Sequence, residues 1–415
     1  GIVGLDTAWQ LHRDDFAVRV IDRVHAGAGV SGANGAQLSY SYVQPLADPS
    51  IWRQLPKLLL SRDSPLKLRL QFDPQQWAWG LRFLAACRAS VSQRTTTQLL
   101  ALAAESRAGF DRLLSEERMD CDFSATGKLV LYPTEAAFAA ARRQMDLQRA
   151  LGSVQTALTP AETLAVEPAL AHYAPRFAGA IHTPGECAAD CYKVCQALQQ
   201  RLQAGGVRFL FDTTVTRLVP DGDRIAAVET AQGGLMADAF VLALGSASSR
   251  LLQPLGLGVP VYPLKGYSIT LQASAQPGAA PRVNVTDAAR KVVFARIGSR
   301  LRVAGMAELV GESTAIPADR IASLVATTRE LFPNASRFDD VQPWAGLRPA
   351  TPTGLPIIGR LPGAPHNLLL NTGHGALGFT LAFGSAQRVV AMLPPPMKKR
   401  PGGRFDGGLP GGNGG

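Results

Sequence analysis

Gly1-Ile2-Val3-Gly4 opens a helix, and Val18-Arg19-Val20-Ile21 is an apolar strand running straight into Asp22. A dinucleotide-binding unit runs strand, G-x-G-x-x-G, helix, strand, acidic residue, and these residues supply everything from the second glycine onward. Gly1 lets backbone approach a pyrophosphate, Gly4 lets the helix pack on its sheet, and the helix start offers free N–H groups and a positive dipole end. Asp22 follows Gly4 by 18 residues, close to the roughly 20 at which a carboxylate reaches ribose hydroxyls, and Arg23 stands beside it. The unit's first strand and first glycine are expected to be missing, which would weaken cofactor affinity. On these residues alone, an ordinary α/β protein is an equally good reading.

Working outward, Ala26 to Gln37 is a glycine-rich loop without periodicity, a cradle for phosphate or ring edges or else a plain connector. Asn34 and Gln37 are its polar candidates. Further on, the strand Ala239 to Leu244 closes on Gly245, a second place for backbone to approach a cofactor, or a simple strand-end turn.

Composition allows large cores: 415 residues, 46% apolar and 18% charged, suggest two domains. No run approaches the 18 or more apolar residues of a spanning helix, and no signal peptide is readable. The net charge of +10 comes from scattered arginine, with no basic, aromatic-laced block of the kind nucleic-acid binders carry. Such a surface suits anionic partners or an anionic membrane face, although solvated arginine is the simpler account. The five cysteines form no disulfide framework, and Cys187, Cys191 and Cys195 recur every four residues like packing positions on a helix. No metal site and a reducing, cytoplasmic compartment are expected.

Amphipathic patterns predict helices over Thr97 to Arg118, Glu135 to Leu151 and Ala188 to Ala204, with a capping box at Thr159-Pro160-Ala161-Glu162. Arg224 to Thr230, a turn at Ala231-Gln232-Gly233-Gly234 and the strand Ala239 to Leu244 read as hairpin-like β-structure. From Val261 to Gln342 the chain is strand-rich with one helix, Pro317 to Leu331, the signature of a second, antiparallel sheet. Substrate then belongs between that sheet and the cofactor. The division expected is 1–48, 156–255 and 343–393 for a discontinuous nucleotide domain, 49–155 and 256–342 for a substrate domain, and a disordered Gly/Pro-rich tail over 394–415.

Four motifs complete the reading. Trp344 through Gly359 reads WAGLRPATPTGLPIIG and Asn371 through Thr380 reads NTGHGALGFT; Tyr262 through Ser268 is YPLKGYS and Val303 through Glu308 is VAGMAE. In order and spacing they resemble the D-amino acid dehydrogenase small subunits, bacterial flavoproteins of the D-amino acid oxidase family, and the likeness runs from Gly1 to about Leu393.

That resemblance implies an α/β fold: an FAD-binding Rossmann-like domain lacking its first strand, plus an antiparallel-sheet substrate domain (α+β). It implies extended FAD and oxidation of a D-amino acid to an imino acid that hydrolyses to 2-oxo acid and ammonia. It further implies a quinone-type acceptor reached from the inner face of the cytoplasmic membrane. Arg348 resembles the family's carboxylate clamp, whose guanidinium offers two parallel N–H groups. Gly373, His374, Gly375 and Gly378 precede an apolar helix and would place N–H groups at the flavin's pyrimidine edge. His374 is placed near the ring without acid–base duty, or is a turn histidine. Lys265 and Tyr267 are expected to face the ring, Tyr267 over the substrate carboxylate or else packed in its sheet, and Val215 matches the backbone contact to adenine. The alternatives are an oxygen-using glycine or sarcosine-type oxidase, a proline-type dehydrogenase, or a catalytically impaired fragment with weak FAD binding.

Overall fold

The computed structural model describes residues 1–43, 45–52, 66–69, 71–150 and 152–396. Its opening helix, Ile2–Arg13, carries Ile2, Leu5, Ala8 and Trp9 on one face, at the three- and four-residue spacing that makes a helix amphipathic. That face enters a core shared with the helices Cys191–Ala204 and Gly378–Val390. Gly4 is where this helix meets the strand end: a Cβ there would lie 3.2 Å from the Cβ of Ala243.

The nucleotide side holds two short parallel pairs. Arg19–Ile21 pairs with Arg208–Leu210, and Phe240–Leu242 pairs with Leu368–Thr372, which also takes Ile357–Gly359 on its other edge. Val215–Asp221, Arg224–Thr230 and Gly233–Met236 form an antiparallel meander; the expected turn residues Gly233 and Gly234 are strand, and Phe240–Leu242 pairs with Leu368–Leu370 instead of with Arg224–Thr230. Among the described residues neither Arg19–Ile21 nor Phe240–Leu242 has a second backbone partner, and both free edges line one cavity.

A nine-stranded, mostly antiparallel sheet forms the other side. Next to its edge strand Gln342–Ala350 lies Tyr262–Gln272, which pairs on its other side with Arg300–Leu309. The helix Ala318–Leu331 packs on one face, where Ile269, Phe294, Leu324, Leu331 and Phe332 are buried together.

The sheets do not follow the division read from the sequence. Thr156–Leu158, Gly179–Thr183 and Gln342–Ala350, assigned to the nucleotide domain, hydrogen-bond within the nine-stranded sheet. Conversely, the long helix Ala89–Glu117, assigned to the substrate domain, packs through Leu102 and Phe110 against Phe379 and Phe383 of the nucleotide side. Gly109 and Gly384 permit that approach; a Cβ on Gly384 would sit 2.7 Å from the Leu102 carbonyl oxygen. The tail assigned to disorder lies outside the described residues from 397 onward. No helix among the described residues is long and apolar enough to cross a membrane.

Candidate active site

Strand parity builds the site. Gln342–Ala350 runs antiparallel to Tyr262–Gln272, with Leu264 opposite Arg348, Gly266 opposite Gly346 and Ser268 opposite Trp344. Opposed residues share a face, so these six look one way while Lys265, Tyr267, Ala345 and Leu347 look the other. The first set lines the large cavity between the sheet and the nucleotide side. Its floor is the glycine pair. A Cβ on Gly266 would fall 2.2 Å from Arg348 Nη2, and one on Gly346 would fall 2.0 Å from Trp344 Cη2, so guanidinium and indole lie flat on bare backbone.

Arg348 donates through Nη1 to the Met306 carbonyl at 2.7 Å. Met306 sits in a β-bulge, where the pairing slips between Lys265 and Tyr267, and its φ is +62°. A non-glycine residue held there is uncommon, and such outliers gather at functional sites. Among the described residues no carboxylate lies within ion-pair distance of Arg348. The half-buried side chain lines the cavity, and burial pushes its pKa down to about 10, still cationic at neutral pH. A cavity-lining guanidinium with one nitrogen fixed and, among the described residues, no counter-ion is a receptor for an incoming carboxylate.

Contrary to expectation, Lys265 does not line the cavity; Tyr267 borders it, but its hydroxyl is engaged on the opposite face of the sheet. Tyr267 donates to Glu308 Oε2 at 2.7 Å, and Glu308 Oε1 lies 2.7 Å from Arg320 Nη2 of the helix on the far face. Lys265 donates to the Ala315 carbonyl, and burial lowers its pKa. The parity that turns Arg348 toward the cavity sends the Lys265 and Tyr267 side chains to the opposite face, with Tyr267 still bordering the cavity.

The 26–37 loop crosses the cavity. Ser31 Oγ accepts from Ile2 N at 3.0 Å, tying the loop to the helix start. Asn34 and Gln37 both line the cavity, but their side chains are engaged elsewhere. Asn34 Oδ1 accepts from Ala36 N at 2.9 Å, and Gln37 Nε2 donates to the carbonyls of Phe294 at 3.0 Å and Val285 at 3.3 Å. Gly1, Gly4, Asp22, Arg23, Val215 and Gly245 line the same cavity. Asp22 keeps Oδ2 3.8 Å from the Gly1 nitrogen and accepts from Val24 N through Oδ1.

At the other end, Thr372 Oγ1 donates to the Gly245 carbonyl at 3.0 Å, joining two strand ends. His374, Gly375 and Gly378 line the cavity, so the start of the helix Gly378–Val390 and its positive dipole end lie at the wall. Gly373 does not line it. Its φ of +82°, and a Cβ that would fall 2.7 Å from Thr351 Cγ2, give it a packing reason. His374 Nε2 shares a hydrogen with Ser385 Oγ at 3.1 Å, and burial pushes its pKa down to about 3, so the imidazole is neutral.

Three contributors escaped the sequence reading. Met306 carries no signal in its side chain; only the backbone shows the bulge. Trp344 stood in a quoted motif without a role. Lys128 opens the apolar run Lys128-Leu129-Val130-Leu131, an odd place for a lysine and a usable sign. It lines the cavity, donates to Ser39 Oγ at 2.9 Å and lies 4.3 Å from the Tyr42 ring centre, with burial lowering its pKa to about 8.

The cavity measures about 2410 Å³, well beyond the roughly 300–1,000 Å³ of a small-ligand pocket. It runs from the Gly1–Gly4 helix start past the 26–37 loop to Arg348. A bare helix start, close glycines and an aspartate at one end, with a free guanidinium at the other, suit a dinucleotide and a carboxylate together. This is the architecture of an FAD-dependent oxidoreductase. The model of the family described as FAD dependent oxidoreductase (DAO) matches residues 1–392, and the chain belongs to that family.

Among similar proteins, D-amino acid dehydrogenase 2 of Ralstonia nicotianae is 49% identical over 403 residues, covering 95% of this chain and 94% of the relative. D-amino acid dehydrogenase 2 of Pseudomonas aeruginosa is 46% identical over 396 residues, covering 95% and 93%. Glycine oxidase from Geobacillus kaustophilus shares the fold at TM-score 0.75 and 22% identity, over 94% of this chain and 92% of that one. L-proline dehydrogenase from P. horikoshii does so at TM-score 0.71 and 17% identity, over 94% and 90%.

Proposed function

We propose that the chain oxidises D-amino acids such as D-alanine to 2-oxo acids and ammonia, passing the electrons to a quinone-type acceptor at the inner face of the cytoplasmic membrane. The observation that carries the reading is the cavity-facing, uncompensated guanidinium of Arg348. It takes the substrate carboxylate in a two-point grip, while the Gly266–Gly346 floor and the Trp344 indole fix the plane in which the amino acid lies. Bound FAD supplies the two-electron acceptor. As the Cα–H bond breaks, both of its electrons leave the substrate, the nitrogen lone pair closes a C=N bond, and water then adds to release ammonia. No side chain needs to act as base on a neutral amine, which suits a neutral His374 engaged with Ser385.

The dehydrogenase names of the similar proteins support the substrate and reaction class. Anaerobic titration tests both. D-alanine should bleach the flavin absorbance of the purified protein, L-alanine should not, and turnover should reduce a quinone or dye without forming peroxide. Flavin that stays oxidised with every D-amino acid would refute the proposal. Peroxide at the rate of turnover would favour the oxygen-using alternative, and a colourless protein the impaired one.

A further inference from the structure

Lys128 is a buried ammonium without an ion pair. It stands first in the strand Lys128–Tyr132, opposite Asn284 of one neighbour and Thr183 of the other, and is 3% exposed while still lining the cavity. Among the described residues no carboxylate lies within ion-pair distance of it; Glu186, itself buried, acts on it only through space. A buried charge without a partner destabilises a fold. Such a group points to an opposite charge that arrives from the cavity.

Its surroundings say where that charge falls. Lys128 Nζ donates to Ser39 Oγ at 2.9 Å and lies 4.3 Å from the Tyr42 ring centre, so two of its directions are taken and a third N–H is left for the cavity. Ser39 N in turn donates to Thr380 Oγ1 at 3.1 Å, and Thr380 is the third residue of the helix Gly378–Val390. Ser39 and Thr380 both line the cavity. One serine therefore ties the ammonium to the helix start, whose dipole end is positive too. The substrate carboxylate at Arg348 is not the missing charge: five strand spacings separate Lys128–Tyr132 from Gln342–Ala350, about 24 Å at about 4.8 Å each. A small amino acid gripped by Arg348 does not span that distance.

We propose that Lys128, with the start of the helix Gly378–Val390, supplies the positive charge that stabilises the two-electron-reduced state of FAD. Hydride uptake brings two electrons and one proton, so the cofactor gains one negative charge, and a cation held in a buried site interacts strongly with it. Lys128 acts by charge from its place in the wall and takes no part in the grip on substrate. The inference rests on FAD binding, as the family has it, and not on the substrate proposed above.

The FAD-loaded protein is reduced stepwise against a reference dye at pH 7 without amino acid, and the oxidised protein is titrated with sulfite, whose flavin adduct is anionic. Lys128→Met should lower the reduction equilibrium constant at least about tenfold, which is about 30 mV for a two-electron couple, and weaken sulfite binding by a similar factor. Lys128→Arg should recover most of both losses. Should Lys128→Met fold poorly with Glu186 left behind, Lys128→Met/Glu186→Gln removes both buried charges and should move both readouts in the same direction. Unmoved potential and sulfite affinity in the folded variant overturn the inference, even where the melting temperature drops, since that marks a structural lysine. A folded Lys128→Arg that loses as much as Lys128→Met makes shape the cause instead of charge and overturns it too. D-alanine oxidation that fails while the potential shift holds sinks the substrate reading alone.

Discussion

Gly266 lies directly beneath Arg348: a single added methyl there would fall 2.2 Å from Nη2. The guanidinium is the free end of a flexible side chain and can swing aside, so Gly266→Ala should cost little stability. It should, however, break the grip on the carboxylate. The expected result is an apparent KM raised at least about tenfold with a melting temperature near the parent's, read by dye-linked kinetics and thermal scans.

Removing the guanidinium is the sharper cut. Charge-assisted hydrogen bonds contribute about 1.5 to 3 kcal/mol each, so Arg348→Ala should lower kcat/KM for D-alanine by about two orders of magnitude or more while flavin absorbance remains. Arg348→Lys should recover only part, because an ammonium lacks the planar fork. Unchanged turnover in Arg348→Ala would dismiss the clamp.

Tyr267 is predicted to be a structural residue. Tyr267→Phe removes one hydrogen bond to the Glu308 carboxylate and should lower stability by about 1.5 to 3 kcal/mol, with KM changed less than about threefold. Glu308→Gln should cost more, since it leaves buried Arg320 without its counter-charge. Chemical denaturation alongside kinetics separates these outcomes from a catalytic role.

How far the sequence reveals this site depends on where alternation survives. Gly4, Asp22 and Arg348 were legible because fingerprint and motif fix their backbone surroundings. The direction of the Lys265 and Tyr267 side chains is not legible because Tyr262–Gln272 is buried on both faces for ten of its eleven residues. With no in–out alternation, nothing local tells which parity faces the cavity. The bulge at Met306 shifts parity again. The boundaries at 156 and 343 failed for a related reason: strand partners are chosen across the chain, and Gln342–Ala350 pairs with a strand some eighty residues earlier.

Asp6 gives a pH prediction. Its carboxyl is fully buried, and desolvation raises its pKa from 3.8 to about 8, with Gln10 and Arg13 offsetting only part. The folded state then holds the proton more tightly than the unfolded chain, so this group lowers stability as pH climbs from about 4 and levels off above about 8. Asp6→Asn should raise the melting temperature most at the alkaline end and flatten its fall between about pH 5 and pH 8. Parallel slopes in parent and variant would refute the assignment.

The 26–37 loop is fastened to the nine-stranded sheet by four hydrogen bonds: Ser268 to the Ala33 carbonyl, Arg302 to that of Asn34, and Gln37 to those of Val285 and Phe294. Gly35 presses so close that a Cβ would meet Val293 at 3.2 Å. Parting the halves like a clamshell would leave these groups unmatched, at about 1 to 3 kcal/mol apiece. The two sides consequently travel as one rigid piece. Reactants would then come and go through a passage whose walls hold still.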